Sequence, residues 1–398
     1  MPRVCAAGAG PNSLRAERRE GCGMDAERIA DQAFANQLMS RATVATIHLG
    51  ALRRNLARVR ERAHGAKVMA VVKADGYGHG LERVARALRD ADAFGVAALG
   101  DGLRLRAAGI QNRIVVLSGP DEPGDLAEFR RLHLDAVIHH EAQLGWLEAD
   151  ADRRPLRAWL KIDTGMHRLG FAAEQAASAH ARLRALANID AEIALMTHFA
   201  ASDEFDSDLT ARQIEGFGST AKGLAGPRSL SNSAGLLGWP AAGGDWVRVG
   251  GLMYGLSVVA GKSGTQLGFE PAMTLSTKLI SVNCIKRGER IGYAATWQCP
   301  EDMPVGVAAI GYGDGYPRSA PAGTPVLVGS TRAAIVGRIS MDLITIDLRG
   351  APQARVGDRV VLWGGALPVE EIAAQAGTIS YDLTCGMTKR VLFVEDES

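Results

Sequence analysis

The stretch VMAVVKADGYGHGLERVARALRDADAFGVAAL, residues 68–99, decides the fold class. Its first segment, VMAVVKA (68–74), is a short apolar run that ends in glycine-rich sequence, which is typical of a strand buried on both faces. LERVARALRDA (81–91) has apolar residues at helical spacing, and AFGVAAL (93–99) is the next apolar run. A strand, a helix and a second strand in this order predict a parallel sheet.

The same alternation of apolar runs and amphipathic stretches continues to about residue 255. The further strand candidates are RIVVLSG (113–119), LDAVIHH (134–140), LRAWLKID (156–163), AEIALMTHF (191–199), RSLSN (228–232) and WVRVGGLMYG (246–255). Eight strand candidates alternating with helices predict an α/β fold, a (β/α)8 barrel of the TIM type. A doubly wound open sheet is the alternative, but the GxGxxG fingerprint that such a sheet normally carries does not follow the first strand.

The sequence changes character beyond residue 268, where β-rich segments are separated by glycine, proline and charged turns. These segments lie at 272–297, 305–312, 324–340, 343–348 and 358–364. Only VEEIAAQAG (369–377) has a helical pattern in this part. We therefore predict a barrel over 42–268 and a mainly antiparallel β domain over 269–398, and the first strand (42–49) could belong to either.

Charge and cysteine usage exclude several classes of protein. The 398 residues carry 45 Lys and Arg against 44 Asp and Glu, so there is no charge signature for nucleic acid or an anionic membrane surface. The apolar runs are shorter than the ~20 residues of a membrane helix. Scattered cysteines without CxxC spacing argue against a disulfide framework or a zinc site, and they favour the reducing cytoplasm. They are Cys5, Cys22, Cys284, Cys299 and Cys385.

Residues 1–41 form an extension that we predict to be disordered or partly helical, with a short helix over 25–39. The segment lacks the apolar core of a secretory signal. Glu17 and Glu20 argue against a transit peptide. An alternative interpretation is that translation starts at Met24.

Polar side chains follow the predicted barrel strands at their carboxyl ends, where a barrel of this type carries its active site. Lys73 ends the first strand, and a lysine after five apolar residues either reaches solvent or reacts. In an apolar site its pKa would fall, which suits a Schiff base with an aldehyde. The other candidates are Lys161, Asp163, Arg168, His198, Asn232, Ser233 and Arg248.

Two later segments are further candidates for binding and catalysis. SNSAG (231–235) and VGGLMYG (249–255) place small residues and hydroxyls at the last two strands, where barrels commonly hold phosphate through backbone N–H groups. Ordinary turns have the same composition. Tyr312 in AIGYGDGYPR (309–318) could be an acid–base group, although a lone tyrosine is more often structural.

Seven motifs, from about residue 42 to 390, resemble those of the alanine racemase family and occur in that family's order. They are AVVKADGYGHG (70–80), KIDTGMHRLGF (161–171), THFAASDE (197–204), SNSAG (231–235), VRVGGLMYGL (247–256), IGYGDGYPR (310–318) and VGRISMD (336–342). The resemblance implies a pyridoxal 5'-phosphate enzyme with a barrel and a β domain. It implies a cytoplasmic homodimer that interconverts L- and D-alanine by a two-base mechanism and supplies D-alanine for peptidoglycan.

The resemblance also implies the residues that bind the cofactor. Lys73 matches the lysine in Schiff-base linkage to it, and Arg248 matches the arginine that faces the pyridine nitrogen. An arginine there leaves the ring nitrogen unprotonated, which limits side reactions such as transamination. The residues that match the phosphate-binding group are Tyr77, Ser233, Gly250, Gly251 and Tyr381.

The remaining implied roles concern proton transfer and the substrate. Tyr312 matches the second base, which enters the site from the partner subunit in this family. His198 matches the histidine that lies between the arginine and the tyrosine in this family, and a positive Arg248–His198 chain would favour the ionised form of Tyr312. Lys161 matches a lysine that is often carbamylated and orients the arginine at Arg168. Arg168 and the backbone N–H of Met341 match the groups that hold the substrate carboxylate.

Three alternatives remain at this point: an amino-acid racemase of broader specificity, a decarboxylase with a similar barrel and β domain, and a non-catalytic carrier of the cofactor. A decarboxylase would share the cofactor lysine but has no reason to carry Tyr312 and the Arg248 motif. Carriers of this kind are usually a lone barrel, which the β domain argues against. We attach no function to Asp75 or His167.

Overall fold

The structure, a computed structural model, describes residues 42–398 and begins with a strand of the C-terminal sheet. This strand, β1 (Val44–His48), leads directly into helix α1 (Leu49–Arg62). Leu52, Leu56 and Val59 recur at helical spacing in α1 and are buried, as the sequence predicts. The predictions for residues 1–41 lie outside the described residues.

Eight parallel strands form a nearly closed barrel and confirm the predicted (β/α)8 fold. They are β2 (Lys67–Val71), β3 (Ala93–Val96), β4 (Arg113–Val116), β5 (Leu134–Ile138), β6 (Ala158–Lys161), β7 (Ala194–Met196), β8 (Arg228–Ser229) and β9 (Trp246–Val249). Strands β2 to β8 pair in chain order and β9 pairs with β2. Across the remaining gap, the Arg248 N–H donates to the Ser231 carbonyl at 2.9 Å. The open sheet considered above is therefore excluded.

Helices connect the barrel strands. They are α2 (Lys73–Tyr77), which is a short left-handed segment, α3 (Leu81–Ala87), α4 (Leu99–Ala107), α5 (Asp125–Arg131), α6 (Glu141–Ala149), α7 (Ala173–Ala185), α8 (Leu209–Thr220) and α9 (Ser233–Gly238). Segments α2 and α9 are short and directly follow strands β2 and β8. They therefore lie at the carboxyl ends of the strands, where such barrels bind ligands.

A second, mainly antiparallel sheet contains β1 and all but two of the C-terminal strands. These strands are β10 (Met273–Ile285), β11 (Arg290–Ile291), β12 (Trp297–Gln298), β13 (Met303–Ala308), β14 (Pro325–Val328), β15 (Thr331–Val336), β16 (Ile344–Asp347), β17 (Arg359–Trp363) and β18 (Leu392–Asp396), of which β11 and β12 form a separate hairpin. Strand β1 pairs antiparallel with β10 and parallel with β18, so the start of the described chain is part of this sheet.

This domain contains two α-helices, α10 (Val369–Ala376) and α11 (Ser380–Cys385), whereas the sequence analysis predicted only the first. The prediction was wrong at α11 because six residues are less than two turns, too few to show a helical period. The omission concerns the site, since α11 carries Tyr381.

The barrel interior is apolar and its amino end is closed by a polar cluster around one buried carboxylate. Side chains of seven strands fill the interior, among them Met69 and Val137. At the amino end the fully buried Asp135 carboxylate accepts hydrogen bonds from Arg113 at 2.5 Å, Arg157 at 2.7 Å and the Trp159 indole at 2.8 Å. The carboxyl end remains for ligand binding.

In the part of the chain that the structure describes, no helix is both long enough and apolar enough to cross a bilayer. Within the same residues, no three His, Cys, Asp or Glu side chains are grouped as metal ligands.

Candidate active site

A left-handed turn directly follows Lys73 at the end of β2. Residues 74–77 all have φ between +52° and +62°, a conformation that costs a non-glycine residue roughly 1–2 kcal/mol. The Asp75 carboxylate stabilises the turn, because it accepts hydrogen bonds from the Leu81 N–H at 3.2 Å and the Arg104 guanidinium at 2.8 Å. Asp75, to which we attached no function, thus holds a strained turn beside Lys73.

The pKa of the Lys73 amine is lowered from its usual value. Protein atoms around the amine remove part of its water, which is the main cause, and the positive charge of Arg168 adds to it. The Cys385 thiol acts in the opposite direction. A larger neutral fraction makes Lys73 a better nucleophile and base than an ordinary surface lysine.

Hydroxyl groups from three elements converge on the backbone of two glycines. The Gly250 N–H donates to Ser233 Oγ at 3.0 Å. A Cβ on Gly250 would collide with the hydroxyl of Tyr77, and one on Gly251 would collide with that of Tyr381, so neither glycine tolerates a side chain here. The structure therefore brings together the five residues matched above to the phosphate-binding group, which we call the tyrosine–glycine cluster.

Tyr254 was not predicted as a site residue, but it packs against this cluster. Its ring stacks on Tyr77 with centroids 4.8 Å apart, and its hydroxyl donates to the Val71 carbonyl at 3.1 Å. Burial raises the pKa of Tyr77 to about 12, so this hydroxyl remains a donor at neutral pH. A tyrosine inside the apolar run GLMYG is the signal that could have identified Tyr254, since a buried hydroxyl needs a partner.

Arg248 is buried and its terminal nitrogens are bound by the ends of neighbouring strands. One donates to the carbonyl of Ser229 at 2.8 Å and to its hydroxyl at 2.7 Å, and the other donates to the Thr197 carbonyl at 2.5 Å. Among residues 42–398 the Nε–H of Arg248 donates no hydrogen bond, which leaves this donor for a ligand. Burial lowers the pKa of Arg248 to about 10, so the guanidinium stays charged at neutral pH.

His198 faces Arg248, with Nδ1 3.4 Å from a guanidinium nitrogen. Burial and, next, the Arg248 charge lower the pKa of His198 to about 3, and Lys161, Arg168 and Lys73 act in the same direction. A buried imidazole surrounded by cations stays neutral, so His198 carries no charge at neutral pH. The positive charge of this pair belongs to Arg248 alone.

Lys161 and Arg168 belong to one motif around the end of β6. Lys161 is buried, and its burial together with the charges of Arg248 and Arg168 lowers its pKa to about 8. The Asp163 carboxylate accepts hydrogen bonds from the backbone N–H groups of residues 165–167 at 2.9–3.1 Å. This folds the loop so that Arg168 lies near enough to lower the pKa of both Lys73 and Lys161.

Tyr312 and Met341 lie side by side on the β domain. The Tyr312 N–H donates to the Ser340 carbonyl at 3.1 Å, and the Gly313 N–H donates to the Met341 carbonyl at 2.8 Å. The two side chains are exposed, Tyr312 to 37% and Met341 to 51%. Within residues 42–398 no hydrogen bond, ion pair or ring contact joins either of them to Lys73. Within the described part of one chain, therefore, Tyr312 and Met341 do not contact Lys73 at the barrel end of the predicted site.

Contacts of Asp314 stabilise the turn that carries Tyr312. The carboxylate of the buried Asp314 accepts a hydrogen bond from the Gly311 N–H at 2.9 Å and forms an ion pair with Arg390 at 3.1 Å. The Arg318 guanidinium lies 5.9 Å from the centre of the Tyr312 ring. The exposed Tyr312 side chain therefore extends from a turn that these contacts stabilise.

Comparison with known proteins covers both domains. The family model "Alanine racemase, N-terminal domain" matches residues 47–258, and "Alanine racemase, C-terminal domain" matches residues 272–394. A curated alanine racemase of Vibrio cholerae is 49% identical over 351 residues, which are 88% of this chain and 97% of the relative. One of Coxiella burnetii is 46% identical over 364 residues, 90% of this chain and all of the relative. The crystal structure of the biosynthetic alanine racemase from Pseudomonas aeruginosa has a TM-score of 0.87 at 44% identity, over 89% of this chain and 99% of that one.

Proposed function

This chain belongs to the alanine racemase family, the pyridoxal 5'-phosphate-dependent isomerases that interconvert L- and D-alanine, and from that premise we propose that Lys73 and Tyr312 are its two bases. The observation that carries the proposal is the amine of Lys73, with its lowered pKa, at the barrel end that also bears the tyrosine–glycine cluster. The deprotonated fraction of such an amine is the form that accepts a proton.

The residues present fit pyridoxal 5'-phosphate. Lys73 would hold its aldehyde, and the tyrosine–glycine cluster would hold its phosphate, because hydroxyl donors and side-chain-free backbone are what such an anion needs. Arg248 would face the ring nitrogen through Nε. When bound, the cofactor makes the Cα proton of an amino acid acidic by delocalising the electrons of the broken bond.

Racemisation requires that a proton leave one face of Cα and that another arrive on the opposite face. Two bases on opposite faces achieve this without turning the substrate, with Lys73 on one face and Tyr312 on the other. The exposed position of Tyr312, without contact to Lys73 among the described residues, supports a head-to-tail homodimer. In that dimer Tyr312 of the partner subunit completes the site.

The cations beside Lys73 suit an anionic substrate group. Arg168 binds the carboxylate of alanine, assisted by the backbone N–H of Met341 in the partner subunit. Lys161 is a candidate for carbamylation, since a pKa of about 8 leaves part of the amine neutral. The neutral nitrogen attacks carbon dioxide and a proton is released. The resulting anion would attract Arg248 and Arg168, whose charges both act on Lys161.

The product of the reaction suggests its role. We assign D-alanine supply for peptidoglycan to this protein, and we place the reaction in the cytoplasm. In the described part of the chain, Cys284, Cys299 and Cys385 are free thiols. Free thiols are typical of proteins in a reducing compartment, which supports this assignment.

The experiment that tests this function is D-alanine formation from L-alanine by the purified chain with pyridoxal 5'-phosphate. L-serine, L-lysine and L-arginine are run beside it. We expect turnover mainly of alanine. Comparable turnover of the larger amino acids would instead indicate a racemase of broad specificity, and no turnover with bound cofactor would contradict the proposal.

Arg248→Glu is expected to produce pyruvate and pyridoxamine 5'-phosphate as side products. A carboxylate can keep a ring nitrogen protonated, whereas Arg248, with a pKa of about 10, does not release its proton to that nitrogen at neutral pH. Racemisation should fall about 10- to 100-fold, the effect of losing a charged hydrogen bond. Pyruvate is measured by a coupled assay.

Arg248→Lys is the matched control, because it retains a buried cation and should form no extra pyruvate. Circular dichroism of both variants checks that they are folded. A folded Arg248→Glu variant that forms no pyruvate would show that Arg248 does not control the protonation of the ring.

A further inference from the structure

A small cavity lies between the barrel and the β domain behind Tyr254. The centre of a water molecule can occupy about 10 Å³ of this cavity. The lining includes His79 from the barrel and Trp363 from β17. This is room for about one water. Both side chains are buried, His79 completely and Trp363 to 99%.

Both residues have a ring nitrogen without a hydrogen-bond partner among residues 42–398, namely Nε2 of His79 and Nε1 of Trp363. The other ring nitrogen of His79, Nδ1, lies 2.9 Å from the Tyr77 carbonyl. Because a carbonyl only accepts, Nδ1 carries the hydrogen and Nε2 is an acceptor. Burial lowers the pKa of His79 to about 4, which keeps the ring neutral. The indole nitrogen of Trp363 is a donor, so the two unpartnered atoms have opposite polarity.

We propose that one ordered water occupies this cavity, accepts a hydrogen bond from Nε1 of Trp363 and donates one to Nε2 of His79, and that the bridge makes His79 a positioning residue for Tyr77. Buried polar groups in native proteins find such partners, and a single water can satisfy one donor and one acceptor at once. The bridge fixes the tautomer of His79 that donates to the Tyr77 carbonyl.

The contacts around the bridge show how it acts on the tyrosine–glycine cluster. His79 packs against Tyr254 with ring centroids 4.8 Å apart, and Tyr254 stacks on Tyr77 at the same distance. Tyr77 lies in the left-handed turn, where the backbone needs support to keep its conformation. On the other side the Trp363 ring stacks on Tyr316, 6.1 Å away. The water therefore joins the turn of Tyr77 to the β domain.

A crystal structure of the wild-type chain tests the water directly. We expect one peak within about 3.2 Å of both nitrogens. A dry cavity, or a protein group bonded to either nitrogen, would refute the bridge. This observation does not depend on the proposed function.

Cofactor binding tests the effect on Tyr77, and this readout rests on the proposed function. We expect His79→Phe and Trp363→Phe each to weaken pyridoxal 5'-phosphate binding about tenfold, as for one lost buried hydrogen bond. The double variant should bind pyridoxal 5'-phosphate no more weakly than the weaker-binding single variant does, because one water serves both side chains. Binding of pyridoxal, which lacks the phosphate, should not change.

Trp159→Phe is the matched control, since this buried tryptophan at the amino end of the barrel donates to Asp135 and should leave both affinities unchanged. Equal losses for pyridoxal and its phosphate, or losses that multiply in the double variant, would refute the positioning role. If the wild-type chain binds no cofactor, the proposed function fails instead, and the peak in the crystal structure still decides the bridge.

Discussion

Lys73→Ala is expected to lose racemase activity by at least about 10⁴-fold, because a general base alone contributes roughly 10²–10⁴ and this lysine would also hold the cofactor. The residue stands at the carboxyl end of the barrel with an amine whose pKa is lowered, which alanine cannot replace. The measurement is D-alanine formation together with the visible absorbance of the covalently bound cofactor. Both should disappear.

Lys67→Ala is the matched control, since Lys67 lies at the opposite end of the same strand and contacts the Trp246 ring at 5.3 Å. It should retain activity and absorbance. An unchanged visible band in Lys73→Ala would show that another amine binds the cofactor, and the site would then have to be assigned again.

Tyr312→Phe is expected to retain the cofactor and to lose racemisation in both directions by about 10²–10⁴-fold, the range for one acid–base group. Either direction needs a proton acceptor on one face of Cα and a donor on the other, so one remaining base cannot complete the cycle. The variant removes only a hydroxyl from an exposed side chain, and the fold should not change. The measurement is turnover of L-alanine and D-alanine separately.

Proton exchange in deuterium oxide distinguishes loss of one base from general damage. With Lys73 intact, one enantiomer of alanine should still exchange its Cα hydrogen without inversion, whereas the other should not. Tyr293→Phe, a change to another exposed tyrosine of the β domain, is the control and should racemise normally. Equal exchange of both enantiomers by Tyr312→Phe would contradict the assignment of the two bases to opposite faces.

The barrel could be predicted from local sequence because parallel strands buried on both faces are continuous apolar runs. Each of the eight predicted segments overlaps an observed strand. Several predictions extend too far at the carboxyl end. WVRVGGLMYG, for instance, stops being a strand at Val249, because the backbone turns at Gly250 into a short 3-10 helix although the composition stays apolar.

The site could be predicted only as a set of residues. Their positions at strand ends follow from the repeat of strands and helices in the sequence. The protonation state of His198 cannot be predicted from that repeat. Its neutral state results from burial next to Arg248, fifty residues away in sequence. Tyr254 was missed for a similar reason, since its contact with Tyr77 joins the 3-10 helix after β9 to the turn after β2.

The barrel, the β-rich second domain and the residues of the candidate site follow from the amino-acid sequence alone, because apolar periodicity and motif spacing are local properties. Which of these residues contact one another depends on the folded arrangement of the chain. That arrangement placed the tyrosines of the cluster against Gly250 and Gly251, kept Tyr312 on the surface of the β domain, and brought His79 and Trp363, each with a ring nitrogen unpartnered among the described residues, to the lining of one cavity. Desolvation and Coulomb interactions depend on distances between segments far apart in the chain, and folding alone sets those distances.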